Sequence, residues 1–469
     1  MEFVHRRRVR IAFPAVLTTV VLTFSAPAPL AAQDPPPYAP PVVRPEIKAV
    51  VDAVSKDELG RNLRALVGFG TRHTLSETRS TTRGIGAARD FLDETLRSYA
   101  AVKDSAMTVA RQSFVHEPDG RRVDRPTEIV NVLATVAGTD PSRLVIVSGH
   151  YDSMPKNIMD RDSDAPGAND DGSGTVVALE CARSAATMKP RATLIFAAVA
   201  GEEQSLIGSA ALARAIEDEG RSVVFMITND IVGGALGSNG RREPNVLRCF
   251  SEGVPSGPKD ERGRVLRTIE GSDNDAPSRQ AARYLAERAP LYTPGFSVRL
   301  VFRQDRYLRG GDHKSFNDRG FSAIRLTEPN ENYDFQHQDV REEAGRKFGD
   351  RFENVDLDYV VRVTRTNLAA ALEAALAPST PRQVRVDVRK LTPHTTLRWK
   401  ANEEPDLGGY AVLVRRTHEP MWTGRFVVPK DKVEFELVGF SKDDWLFAVE
   451  AFDESGRRSP PVYPAPQMR

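Results

Sequence analysis

The chain has only two cysteines, Cys181 and Cys249, in 469 residues. That scarcity excludes a disulfide-rich scaffold, whose small core needs several crosslinks. The absence of any Cys-x-x-Cys pair excludes structural zinc of the thiolate type. A single Cys181–Cys249 bridge stays open, although Cys181 falls in an apolar helix-like run and reads as a buried thiol. An excess of one charge is also lacking: 65 Lys+Arg against 64 Asp+Glu leaves a formal +1. The balance gives no basic footprint for nucleic acid and no field steering the chain to a membrane surface. No repeat of solenoid period is present. What remains is a chain whose length, with 40% hydrophobic residues, suits a large catalytic domain plus a smaller one.

The N-terminus reads as a targeting segment. Arg6, Arg7, Arg8 and Arg10 precede an apolar run from Ile11 to Phe24, and Ala26 to Ala32 is small and Pro-rich. The run is shorter than the ~20 residues of a membrane span and suits a secretory signal cleaved near Ala32. An uncleaved anchor is the competing reading. Removing residues 1–32, with four Arg and one Glu, takes the formal charge from +1 to −2. The expectation is a secreted or periplasmic protein with no stable membrane insertion after cleavage. Residues 33–45 are Pro-rich and predict an extended linker.

Beyond the linker, helical spacing covers Ile47 to Gly68, Gly84 to Tyr99, Thr175 to Met188, Ser205 to Glu217, Ala276 to Ala289 and Val355 to Leu376. Strand-like runs cover Ile129 to Ala137, Leu144 to Ser148, Thr193 to Val199, Val223 to Ile227 and Phe296 to Phe302. Continuous apolar strands alternating with helices predict an α/β domain over 46–378, with a mixed, largely parallel central sheet flanked by helices. Gly234 to Gly271 reads as an insertion or long loop. From Val384 onward the apolar period falls to two, as in Val384/Val386/Val388 and Phe447/Val449/Ala451, which predicts a small all-β sandwich over 382–466.

Acidic and histidine residues follow the apolar runs in order: His150-Tyr151-Asp152, Asn169-Asp170-Asp171 in a Gly-rich turn, Glu202-Glu203, Asp230, then a late His337. In open α/β sheets ligands gather outside the carboxyl ends of strands. The runs ending before His150, Glu202 and Asp230 place three of these groups on one sheet edge. Hydrolytic metal centres need carboxylate and imidazole ligands converging from several strand ends, plus one carboxylate left as a base. Taken singly, each residue has a blander reading: His150 as a core histidine, Asp170 as a helix cap, Glu202-Glu203 as a solvated helix start. Taken together and in this order, they point to a two-metal hydrolase.

The run His-x-Asp, Gly-Ala-Asn-Asp-Asp-Gly-Ser-Gly, Gly-Glu-Glu, Asn-Asp and a late His resembles the M28 family of zinc peptidases over roughly residues 46–376. The resemblance implies two zinc ions: His150 and Asp230 on one, Glu203 and His337 on the other, and Asp170 shared. It also implies Glu202 as general base, with Asp152 orienting His150 through the second ring nitrogen. It implies exopeptidase action on peptides, an aminopeptidase first. A carboxypeptidase of the family, a glutaminyl cyclase with one zinc, and a non-catalytic receptor-like protein are the alternatives. His313, in Gly-Asp-His-Lys-Ser-Phe, is assigned to the pocket wall or to the shell of residues behind the ligands rather than to the metals. Gln336 and Gln338 flank His337 where the family often has Tyr and Thr, so no oxyanion-stabilising tyrosine is identified; Tyr333 and Tyr307 are guesses. His73 and His116 are expected at the surface or in loops. Leu397-Arg398-Trp399, Pro405 to Tyr410 and Trp445 to Ala451 resemble a fibronectin type III domain, with Trp445 where that fold often has tyrosine.

Overall fold

The computed structural model describes residues 34–256, 275–389 and 391–467, so the expected signal segment lies outside the described residues. The N-terminal part contains helices α1 (Pro45–Asp52), α2 (Lys56–Gly68), α3 (Gly84–Ala100), α4 (Gly174–Ala185), α5 (Ile207–Asp218), α6 (Pro277–Tyr292), α7 (His313–Asn317) and α8 (Leu357–Leu376). Its strands are β1 (Met107–His116), β2 (Thr127–Val136), β3 (Asp140–His150), β4 (Ala192–Val199), β5 (Ser222–Asn229), β6 (Val246–Phe250), β7 (Ser297–Val301) and β8 (Ala323–Thr327). They form one sheet in the order β1-β2-β4-β3-β5-β8-β6-β7. The central run β4-β3-β5-β8 is parallel, while β1-β2, β2-β4 and β6-β8 pair antiparallel. The sheet is therefore mixed, as expected, with four parallel strands at its centre and a further parallel pair, β6-β7, at one edge.

The reason is visible in the strands. β3, from Arg143 onward, and all of β4 are buried, so helices must cover both faces. On one face lie Val145, Val147, Leu194 and Phe196, in a core that includes α4 and α8; on the other, Leu144, Ile146, Ile195 and Ala197 pack with Leu212 and Ile216 of α5. Each strand thus alternates between two apolar cores. Register aligns the strand ends: His150 pairs with Val199, and Ser148 with Thr228. The residues that follow these ends reach the same edge of the sheet.

Several expectations need correction. The helix expected over 47–68 is two helices, because Ser55 caps α2 by accepting a bond from the Glu58 amide at 3.2 Å. The segment read as a loop from Gly234 contains β6, which is short and pairs with β7 and β8. β1 and β8 are additional strands. His73 lies in a loop, as expected, but is buried there; its ring joins the Ile158 carbonyl at 2.8 Å. Cys181 and Cys249 are separate buried thiols with no bridge between them. Among the described residues, no helix is long and apolar enough to cross a membrane.

The C-terminal region is all-β. A two-stranded hairpin, β9 (Arg341–Glu343) and β10 (Arg346–Phe348), precedes α8. After α8 come β11 (Arg382–Asp387), β12 (Thr395–Lys400), β13 (Leu407–Arg416), β14 (Gly424–Pro429), β15 (Glu434–Leu437), β16 (Trp445–Asp453) and β17 (Ala465–Gln467). They make a four-stranded sheet, β15-β12-β11-β17, and a three-stranded sheet, β14-β13-β16. Residues from both sheets, with Trp399 against Tyr410 at 5.3 Å between ring centroids, share one apolar core. Ion pairs join this region to the N-terminal part. Buried Asp275 lies 2.7 Å from Arg283 and 2.7 Å from Arg415 of β13, and Arg191 meets Asp453 at 3.0 Å. The Pro-rich segment from residue 34 also lies along it, with the Tyr38 amide donating to the Thr423 carbonyl at 3.0 Å.

Candidate metal centre

Close backbone approach builds the site. A Cβ on Gly149 would sit 2.3 Å from the backbone of Gly174, so glycine at both positions lets the end of β3 meet the start of α4. Between these elements the turn Ala168–Ser173 is fastened by two carboxylates. Asp171 accepts from the amides of His150 at 3.0 Å and Gly174 at 2.9 Å. Asp350 accepts from the amides of Asn169 at 2.8 Å and Asp170 at 2.6 Å, and burial pushes its carboxyl up to about 7. With its backbone held from behind, Asp170 projects forward.

Asp170 faces two groups with its two oxygens. Its Oδ1 lies 3.3 Å from His150 Nε2, which in turn is 4.0 Å from Asp230 Oδ1. Its Oδ2 lies 2.9 Å from His337 Nε2, which is 3.1 Å from Glu203 Oε1. The two trios, His150–Asp170–Asp230 and Asp170–Glu203–His337, each bring their donor atoms within 4.8 Å of one another and share Asp170. The five residues assigned as ligands from the sequence are therefore the five that converge.

Glu202 and Glu203 point different ways at the corner between β4 and α5, as an adjacent pair must when one joins the cluster. Glu203 reaches His337, while Glu202 lines the adjoining cleft and belongs to neither trio. Buried Asp152 fixes that corner. Its carboxylate accepts from Thr74 Oγ1 at 2.9 Å, the Glu203 amide at 3.1 Å and the Glu202 amide at 3.3 Å. The orienting role expected for Asp152 needs refinement: His150 Nδ1 is nearer the Asp152 backbone carbonyl, at 3.1 Å, than its carboxylate, at 3.5 Å. Either contact leaves Nε2 facing Asp170 and Asp230.

The electrostatics call for cations. Burial, then the Asp230, Glu203 and Asp312 carboxylates, hold Glu202 well above its ordinary pKa, and burial likewise raises Glu203. Burial alone would lower His150, but the surrounding carboxylates outweigh it and hold it well above its ordinary value. His150 Nε2 is buried with no hydrogen-bond partner, although carboxylates surround it. A buried imidazole nitrogen without a partner, facing carboxylates crowded together, is the donor set that zinc takes, so the residues present fit that ion. One fixed cation is already there: buried Arg325 lies 2.9 Å from Asp230 Oδ2 and 3.0 Å from Asp305. Burial works against the Arg325 charge, but these two carboxylates outweigh it and hold its pKa above the ordinary value.

A cleft of about 470 Å³ opens over the cluster, lined by Asp170, Glu202, Glu203, Asp230 and His337 on the floor and by Arg122, Arg306, Leu308, Arg309 and Lys314 among the walls. The sequence profile of Peptidase family M28 matches residues 131–245, which span every ligand candidate except His337. A probable zinc metalloprotease of Pyrenophora teres f. teres is 42% identical over 423 residues, covering 90% of this chain and 87% of the relative. One from Leptosphaeria maculans is 42% identical over 428 residues, covering 91% and 98%. The chain belongs to peptidase family M28. Membership makes it a zinc metalloprotease acting on peptides. Its fold is also that of the LapA aminopeptidase of Legionella pneumophila, with a TM-score of 0.50, 16% identity, and 72% of this chain and 77% of that one covered.

Other sequence candidates fall outside this M28 site. His313 is buried, with Nε2 3.0 Å from the Gln304 carbonyl and 3.5 Å from Asp305, and it touches neither trio. Tyr307 and Tyr333 are largely exposed and do not line the cleft. Gln336 occupies the place next to His337 and donates to Asp170 Oδ2 at 3.2 Å. The sequence reading missed Arg325, Asp350 and the cationic walls. The string Arg303 to Arg309 in a stretch between β7 and α7 is the signal that could have pointed to the walls.

Proposed function

We propose that this M28 peptidase is an aminopeptidase using two zinc ions, one held by His150, Asp170 and Asp230 and the other by Asp170, Glu203 and His337. The observation that carries the reading is the division of Asp170, whose two oxygens face two different histidines at 3.3 and 2.9 Å. When bound, the zinc pair lowers the pKa of water toward ~7 and polarises the scissile carbonyl.

The protein's own groups do the rest. Glu202 lines the cleft, and among the described residues nothing hydrogen-bonds its carboxylate, which leaves it available to a water. It takes the proton from the attacking water and passes it to the departing amine. Asp152 holds the Glu202 and Glu203 amides, so the base and the neighbouring ligand keep fixed separation. A cleft of about 470 Å³ suits a chain end rather than an extended peptide passing through. We further infer export, from the expected signal at 1–32, and a fibronectin type III-like identity for the C-terminal sheets.

The test is hydrolysis of L-leucine p-nitroanilide by the zinc-loaded protein. Cleavage that disappears when the amino group is acetylated supports the aminopeptidase reading. Release of C-terminal residues from N-acetylated peptides would indicate the carboxypeptidase, and conversion of N-terminal glutamine to pyroglutamate the cyclase.

A further inference from the structure

We propose that the cleft binds, beside the metal centre, a carboxylate of the substrate, with Arg309 and Lys314 as its recognition groups. This deepens the aminopeptidase reading and rests on it for the orientation of the substrate. Two carboxylates could serve: an acidic side chain on the N-terminal residue, or the C-terminal α-carboxylate of a short peptide.

The walls of the cleft carry four cations: Arg306, Arg309 and Lys314 on the stretch before and within α7, and Arg122, whose guanidinium donates to the Glu203 backbone carbonyl. A second hollow on the same stretch adds Arg303, stacked on Tyr307 with 3.9 Å to the ring centroid. The nearest counter-charge is insufficient. Glu331 is the partner of Arg306 at 2.7 Å, of Arg309, and also of Arg248 at 2.9 Å. One carboxylate between three guanidiniums leaves a surplus of positive charge on this wall once the floor carboxylates are taken up by metal ions. The remaining acid of this stretch, Asp305, lies between Arg325 at 3.0 Å and Arg306 at 3.5 Å, so it too is shared between two guanidiniums.

Position links these cations to the chemistry. Arg309 donates to Gln336 Oε1 at 3.3 Å, and Gln336 donates to Asp170 Oδ2 at 3.2 Å. The guanidinium is therefore one side chain away from the shared ligand of the metal centre. Arg306 is largely buried, with Glu331 2.7 Å from one guanidinium nitrogen and Asp305 3.5 Å from Nε, so it is a fixed part of the wall, whereas the partly exposed Arg309 and Lys314 can reach an incoming anion. Arginine forks bind carboxylates through paired bonds, whereas a neutral amide in the same place leaves the buried charge uncompensated. The cleft thus carries, beside the proposed metal ligands of its floor, cations on its walls for a substrate carboxylate.

The experiment pairs each carboxylate with its amide, using the zinc-loaded protein. Glutamyl against glutaminyl p-nitroanilide reads the side-chain source, and Leu-Leu against Leu-Leu amide reads the C-terminal source. A charge-assisted bond made by only one of each pair predicts that kcat/KM favours the carboxylate by about tenfold or more in one pair. That ratio should collapse in Arg309→Gln and in Lys314→Gln, and should recover in part in Arg309→Lys. Lys314 is partly exposed, so its variant keeps the test open if Arg309→Gln fails to fold. Calorimetric binding of L-glutamate against L-glutamine, and of Leu-Leu against its amide, gives the same comparison without turnover. Cleavage of leucine p-nitroanilide with no carboxylate preference in either pair would overturn the inference and leave the aminopeptidase reading standing. Absence of all N-terminal cleavage, with glutamate still bound more tightly than glutamine through Arg309, would overturn the aminopeptidase reading and retain the carboxylate site. A preference that survives both charge-removing substitutions would also overturn the inference.

Discussion

Replacing Asp152 with asparagine exchanges one oxygen for an NH₂ group at a position with no solvent access. The native carboxylate receives three donors, from Thr74, Glu203 and Glu202. An asparagine can place its carbonyl where Oδ2 stands and keep the Thr74 and Glu203 bonds. Its NH₂ then faces the Glu202 amide, originally 3.3 Å from Oδ1, donor against donor. A buried hydrogen bond to a charged group is worth roughly 1.5–3 kcal/mol, or about 10- to 150-fold in an equilibrium. The lost bond holds the backbone of the proposed base and adjoins the ligand Glu203. The cost should therefore appear as a loss of roughly 10- to 100-fold in zinc affinity or kcat/KM, the usual range for groups behind metal ligands. Global stability should fall much less, because the substitution also removes a buried charge. Zinc affinity is read by competition with a chromophoric chelator, turnover on aminoacyl anilide at saturating zinc, and stability by thermal unfolding. A variant with native zinc affinity and turnover would refute the clamp. Equal losses in stability and activity would reduce Asp152 to a folding residue.

Three further outcomes follow. Glu202→Gln should retain zinc and lose about 100-fold or more in kcat, the usual contribution of a general base, and near-native turnover would remove Glu202 from that role. His337→Ala should lower zinc occupancy while His313→Ala leaves it intact, since His313 bonds to Gln304 and Asp305 instead of joining a trio; the reverse result would exchange their roles. Asp275→Ala strands the buried guanidiniums of Arg283 and Arg415 and should cost ~3–5 kcal/mol, read from the denaturant midpoint, whereas native stability would show that these pairs add nothing to the contact with the β domain.

The parts of the fold legible in the sequence are those whose burial is uniform. β3, β4 and β5 are central and covered on both faces, so their apolar residues run together. β1 escaped because it is an edge strand with alternate residues exposed, and the polar Arg111, Gln112 and Ser113 break its apolar pattern. β8 escaped because Arg325 interrupts Ala323–Thr327 with a charge, yet that arginine is buried for its pairs with Asp230 and Asp305. The same division holds at the site. His150, Glu202, Glu203 and Asp230 each follow a recognisable strand, and Asp170 sits in a glycine-rich turn. Asp350 acts only through partners distant in the chain, the amides of Asn169 and Asp170, and no local pattern announces it; the arginine-rich string from Arg303 to Arg309 shows in the sequence, but its place at the cleft is set by distant Glu331.

The most direct test of the account is the number of zinc ions per chain, measured by elemental analysis after equilibration with excess zinc and removal of the free ion. The account predicts two for the native protein, one for His150→Ala, and loss of both sites in Asp170→Ala, because that carboxylate serves each trio. A native protein that saturates at a single ion, or an Asp170→Ala variant that still holds two, would contradict it.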